Sequence, residues 1–186
     1  MNNTSVSMSS DEHLRLFVGT SLPEHTIETI HRSAGGAMNR TEWRTLPKLQ
    51  WHLTALFLGN RPAEELPMIS KAVRAIASET PRFHVLNGRL VTMPETGPYM
   101  LWVRFDPSPV LTELHRRLSD ALGLAPDTRQ PYWPHITLAR SSSTMPLMRE
   151  ETVCLERFPI DHLTVFSSEL HPAGSVHTPL DSYIFT

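Results

Sequence analysis

The sequence predicts a mixed α+β fold in two lobes around a central cleft, and three observations carry that reading. Strand-like apolar runs outnumber the helical stretches. Strands and helices do not follow the uninterrupted βαβα order of a parallel doubly wound sheet. A strand and a helix precede "HLTALFLG", and a strand and a helix precede "HITLAR", the two histidines standing a little under half of the 186-residue chain apart. Two lobes related by an approximate two-fold would bring both histidines to one cleft, and the period matches no solenoid repeat.

Each element has its own signal. "LRLFVGTSLP" (14–23) is β-branched and aromatic and ends at Pro23, which can open a helix. That helix covers 24–38, with Ile27 and Ile30 on one face and Gly35–Gly36 near its end. Residues 49–59 form a strand closed by Gly59. Leu66, Ile69, Val73 and Ile76 have helical spacing within 64–79, and Pro67 is tolerable in the first turn. Residues 82–93 are one strand or a pair, and 99–106 a strong strand. Within 108–122, Val110, Leu111, Leu114, Leu118 and Leu122 make an amphipathic helix. "PYWPHITLAR" (131–140) is a strand entered through two prolines; 141–153 is a loop or short helix; 160–170 and 177–186 are the last strands.

Bulk composition narrows the classes. A 40% hydrophobic chain of this length suits one domain, taken as 13–186, behind a disordered polar tail at 1–12. A formal charge of −2 gives no global basic field for nucleic acid. One cysteine, Cys154, forms no internal disulfide and no cysteine-rich zinc site, which fits a reducing cytoplasm. No apolar run approaches the ~20 residues of a membrane span, and the N-terminus lacks the basic and apolar regions of a secretory signal.

The chemistry is concentrated in a repeated tripeptide. His52-Leu53-Thr54, His135-Ile136-Thr137 and His162-Leu163-Thr164 are three copies of H-x-T. With 10 histidines and 18 threonines in 186 residues, chance supplies about one, so the tripeptide alone says little. In a strand, residues i and i+2 share a face, so each copy points an imidazole and a hydroxyl the same way. That pair suits a phosphate: the hydroxyl donates a hydrogen bond and the imidazole moves a proton near neutral pH. Two copies on opposing strands supply a general acid and a general base around one phosphorus. The first two copies also have matching apolar tails, "ALFLG" and "LAR", and the second ends in Arg140. Arg140 is either a phosphate ligand with a planar fork of donors or an ordinary surface cation.

"WHLTALFLG" and "PHITLAR" resemble the paired signatures of the 2H phosphoesterases, and within them the bacterial RNA 2′,3′-cyclic phosphodiesterases, the LigT-like 2′–5′ RNA ligases. "RLFVGTSLP", "MLWVRF" and "FSSELHPAGSVHTPL" extend the likeness over nearly everything from residue 14 onward. The resemblance implies antiparallel sheets facing a central cleft with helices outside. It implies His52 and His135 as the catalytic pair, with Thr54, Thr137 and Arg140 holding the phosphate. It implies that a terminal 2′,3′-cyclic phosphate opens to a 2′-phosphate without a metal or cofactor, His135 activating water and His52 protonating the departing 3′-oxygen. It also implies reversible 2′–5′ RNA ligation as an accompanying reaction.

The alternatives are a phosphodiesterase of small cyclic nucleotides, which the near-neutral charge favours, and a non-catalytic module binding RNA ends. A monomer is expected. His162 lacks both tails and falls where the family has no catalytic histidine, so it reads as an ordinary strand residue. His177 stands where the family often has tyrosine. His13, His25, His31, His84, His115 and His171 have no partner pattern and read as solvent-facing or local. Trp51 and Trp133 are expected to turn from the two histidines into the core, with stacking on a base at the cleft rim as their other reading. Phe17 is a similar candidate.

Overall fold

The computed structural model describes residues 12–97, 99–125, 132–148, 151–153, 155, 157–171 and 174–186. Cys154 and all of the expected tail except Glu12 lie outside them. The chain runs β1 (His13–Ser21), α1 (Glu24–Met38), β2 (Arg44–Thr45), β3 (His52–Pro62), α2 (Leu66–Ser78), β4 (Phe83–Val85), β5 (Gly88–Met93) and β6 (Met100–Phe105). It continues through α3 (Pro109–Ala121), β7 (His135–Arg140), β8 (Glu151–Val153), β9 (Phe158–Ile160), β10 (His162–His171) and β11 (Gly174–Ile184).

Two antiparallel sheets organise these elements. One has the order β11-β10-β1-β3 and the other β2-β7-β6-β5-β8; β4 and β9 form a small third sheet. Each H-x-T strand pairs with the strand that precedes it in the chain across a helix: β3 with β1, and β7 with β6. The helices cross over. α3 lies against β3 of the first sheet, and α1 against β8 of the second. The internal echo in the sequence is therefore real in the topology, as two strand–helix–strand units that each send the helix to the other sheet.

Helix faces follow the spacing of their apolar residues. In α1, Thr26, Ile30, Ala34 and Met38 are buried at four-residue intervals. In α2 the buried stripe is Ile69, Val73 and Ile76, with proline in the first turn as expected. In α3, Leu111, Leu114 and Leu118 are buried. Val110 is exposed, because its place beside Leu111 turns it away from the stripe. The Ser108 hydroxyl caps α3 by accepting from the Leu111 N–H at 3.4 Å. Gly123, at φ +65°, lets the chain leave it through the left-handed region.

Several boundaries differ from expectation. Lys48–Gln50 is a 3-10 turn, so β3 begins at His52. The stretch 82–93 splits between two sheets, Phe83–Val85 pairing with Phe158–Ile160 and Gly88–Met93 with β6 and β8. The strands β2, β8 and β9 span two or three residues each, too short for any periodicity to mark. The last strand starts at Gly174, three residues before the expected start.

Gly19 fixes how closely β1 approaches β3. A Cβ built there would stand 2.7 Å from the Leu53 carbonyl oxygen and 3.4 Å from the Thr54 Cα. The obstacle is backbone and cannot swing aside. Gly19→Ala is expected to cost about 1–3 kcal/mol and to reduce activity, since the push falls on the strand that carries His52 and Thr54. Thermal denaturation checks this; an unchanged Tm would contradict it.

Candidate active site

The site is built from one strand of each sheet. β3 supplies His52 and Thr54 at the edge of the first sheet, and β7 supplies His135, Thr137 and Arg140 in the second. The strands are joined directly: the Tyr132 hydroxyl, just ahead of β7, donates to the Thr54 carbonyl at 2.8 Å.

The two histidines are held in the same way. His52 Nδ1 donates to the Gln50 carbonyl at 2.8 Å, and His135 Nδ1 to the Trp133 carbonyl at 2.7 Å. A carbonyl only accepts, so Nδ1 carries the proton and Nε2 is the basic nitrogen of each neutral ring. Each ring thus keeps, at Nε2, a nitrogen able to take and return a proton. Neither the Thr54 nor the Thr137 hydroxyl bonds another described side chain or backbone group, which leaves both donors for a ligand. Thr54 is 8% exposed, so that donor is nearly out of water.

Aromatic rings surround His52. Cross-strand pairing puts Phe17 of β1 opposite Phe166 of β10, and their rings stack at 4.8 Å. Phe17 lies 4.6 Å from the His52 ring, and His177 meets both edge-on, at 5.0 Å from Phe17 and 4.9 Å from His52. Phe17 is fully buried and serves as floor beneath His52, so it offers no free face to a base. On the other side Trp102 stacks on His135 at 3.6 Å and 15°.

This packing sets the protonation of the site. Burial pushes His52 below its ordinary value; the bond to Gln50 opposes that, and the Arg140 cation deepens it. Burial likewise lowers His135, against the bond to Trp133 and with further lowering from His52 and Arg140. His177 is held down to about 4, by burial first and then by His52, Arg15 and Arg140. Below the ordinary value of 6.5 the unfolded chain therefore binds more protons than the folded one. Stability is fully present above that value and is lost as pH falls toward about 4. Urea midpoints are expected to drop between about pH 7 and about pH 5, and less steeply in His177→Phe. An equal slope in that variant would contradict this.

Trp51 is in the core at 3% exposure, as expected. Trp133 is not: it is 38% exposed, and the Arg104 guanidinium lies over its ring at 4.3 Å. Trp133 lies just ahead of β7 and lines the same cavity as His135. His115 also departs from expectation. Its Nδ1 donates to the Ala55 carbonyl at 2.8 Å and its ring stacks on Tyr132 at 4.5 Å, which ties α3 to β3. His162 bonds Asp161 at 2.7 Å, Ser21 at 3.0 Å and Thr20 at 3.2 Å, and lines neither of the two cavities beside the site.

Those two cavities differ in character. One, of about 760 Å³, is lined by Thr54, Trp102, Tyr132, Trp133 and His135 with mostly apolar neighbours. The other, of about 790 Å³, is lined by Gln50 and Arg140 together with Arg15 and Arg44. No group of three or more His, Cys, Asp or Glu among the described residues could hold a metal ion. No helix among them is long and apolar enough to cross a membrane.

A fold of paired antiparallel sheets with one H-x-T strand from each defines a two-histidine phosphoesterase, and comparison gives the family. The sequence model of the 2′-5′ RNA ligase superfamily matches residues 22–172, and the chain belongs to that superfamily. It is 30% identical over 178 residues to the RNA 2′,3′-cyclic phosphodiesterase of Thermus thermophilus, covering 91% of this chain and 89% of that one. It is 31% identical over 129 residues to the enzyme of that name from Geobacillus stearothermophilus, covering 67% of this chain and 41% of the other. The crystal structure of TT0787 of Thermus thermophilus superposes with a TM-score of 0.79 at 28% identity, over 92% of this chain and 98% of that one. E. coli LigT in its apo form shares the fold, with a TM-score of 0.78 at 22% identity over 95% and 99% of the two chains.

Proposed function

We propose that the protein is an RNA 2′,3′-cyclic phosphodiesterase, opening a terminal 2′,3′-cyclic phosphate to a 2′-phosphate. The observation that carries this is the matched pair of His-x-Thr units, one from each sheet, both under the field of Arg140. His135 takes a proton from water as the oxygen attacks phosphorus, and protonated His52 gives its proton to the 3′-oxygen as that P–O bond breaks. Thr54, Thr137 and Arg140 hold the non-bridging oxygens where charge accumulates. Both imidazoles are neutral-prone in the free protein; the incoming phosphate anion favours protonation of one of them. A 5′-hydroxyl end in place of water attacks the same phosphorus and breaks the same P–O3′ bond, which joins it to the 2′,3′-cyclic phosphate end through a 2′–5′ linkage; cleavage of that linkage is the reverse, with the two roles exchanged.

Side chains alone supply acid, base and charge neutralisation, which supports a reaction needing no metal. The apolar cavity beside His135 and Thr54, rimmed by Trp133, suits the terminal nucleoside. The single cysteine supports a cytoplasmic setting. Both His-x-Thr units come from one chain, which supports a monomer. The test is incubation with an oligoribonucleotide ending in a 2′,3′-cyclic phosphate, with a chelator present, and phosphorus NMR of the product. Conversion to the 2′-phosphate is expected. An intact ring, or turnover that stops with chelator and returns with divalent metal, would contradict it.

A further inference from the structure

The cavity beside Arg140 has more positive charge than one reacting phosphate needs. Its wall holds Arg15 from β1, Arg44 from β2 and Arg140 from β7, with no carboxylate side chain among its described lining residues; His171, at the end of β10, also lines it and is paired with Glu169 at 3.3 Å. The described partners of two of these cations are uncharged: Arg15 donates to the Ser168 hydroxyl at 2.9 Å, and Arg140 to the Met100 sulfur at 3.3 Å. Arg15 and Arg44 both depress the Arg140 guanidinium, burial being the larger cause. Three like charges gathered on one wall repel each other, in a chain whose formal charge is −2. Gly174, at the start of β11, borders them: a Cβ built there would stand 4.0 Å from the Arg44 Cζ. Strand backbone fixes each position, so Arg15 and Arg140, whose described partners are uncharged, are preorganised with Arg44 beside them for an anion.

We infer that this arginine cavity binds a second phosphate of the substrate, the one on the 5′ side of the terminal nucleoside. The inference rests on the phosphodiesterase reading and deepens it. Arg140 borders both the reacting phosphate and the cavity, so an anion tethered to the terminal ribose is delivered to Arg15 and Arg44 when the cyclic phosphate docks. A guanidinium fork matches two oxygens of a phosphodiester or a terminal phosphate equally well. The consequence is selectivity for ends that continue into a chain: a nucleoside 2′,3′-cyclic phosphate with a free 5′-hydroxyl leaves the cavity without its anion. Because this phosphate does not react, its contacts are made equally in ground and transition states and lower KM more than they raise kcat.

The test compares kcat/KM on adenosine 2′,3′-cyclic phosphate, on its 5′-phosphorylated form and on a dinucleotide with the same cyclic end. The parent protein is expected to prefer the two substrates with a 5′-side phosphate by on the order of tenfold or more, since hydrogen bonds to charged groups are the strong class. Arg15→Gln and Arg44→Gln are each expected to shrink that ratio, and the double variant to bring it toward one. The preference is also expected to weaken with salt in the parent and much less in the double variant. Using a ratio of two substrates in the same protein removes any general damage from the substitutions. Turnover of all three substrates at equal efficiency by the parent, or a ratio that survives the double variant, would overturn the inference and leave the phosphodiesterase reading standing. No turnover of any substrate would overturn both.

Discussion

Replacing either His52 or His135 with alanine is expected to lower kcat by about 10²–10⁴-fold while the protein stays folded. Each imidazole is anchored through Nδ1 to a carbonyl two residues back, so its loss removes a proton-transfer group without opening a buried network. The rings that pack on them remain, Phe17 and His177 at His52 and Trp102 at His135. The double variant is expected to be little worse than either single one, because an acid and a base that act in one displacement fail together. Single-turnover assays beside far-UV circular dichroism check this. A single variant with parental kcat would remove that histidine from the chemistry.

The second large effect is expected at Arg140. Arg140→Gln removes the cation that both histidines feel and, in the proposed mechanism, a donor to the phosphate, and kcat/KM is expected to fall on the order of 10²-fold. Its pH signature separates this from simple damage. Arg140 lowers both His52 and His135, so its removal lets both rise toward their ordinary value, partly, since burial remains. The acid limb of kcat/KM then moves to higher pH. Arg140→Lys keeps the charge and is expected to hold the limb in place while losing the planar fork. A limb that stays fixed in Arg140→Gln would contradict the electrostatic role.

How much of the site is legible in the sequence depends on range. His52, Thr54, His135, Thr137 and Arg140 lie within short motifs, so strand alternation alone places each imidazole with its hydroxyl. Arg15 and Phe17, or Trp102 and Arg104, share a face by the same rule, but nothing local says that the face borders the site; pairing with β3 and β7 does. His177 meets His52 from the last strand, and Tyr132 bonds a carbonyl 78 residues away in the chain, which no periodicity reports. Trp133 departs from its expected core position: it lies just ahead of β7 and lines the same cavity as His135. The small β4–β9 sheet joins three-residue strands far apart in the chain, beyond what composition can signal.

The most direct measurement of two histidines working as one acid and one base is the pH dependence of kcat/KM in the parent, His52→Ala and His135→Ala on a single cyclic-phosphate oligoribonucleotide. A bell is expected for the parent, with the acid limb lost in His135→Ala, where the base is gone, and the alkaline limb lost in His52→Ala, where the acid is gone. A complete bell in either variant, or loss of the same limb in both, would contradict the assignment.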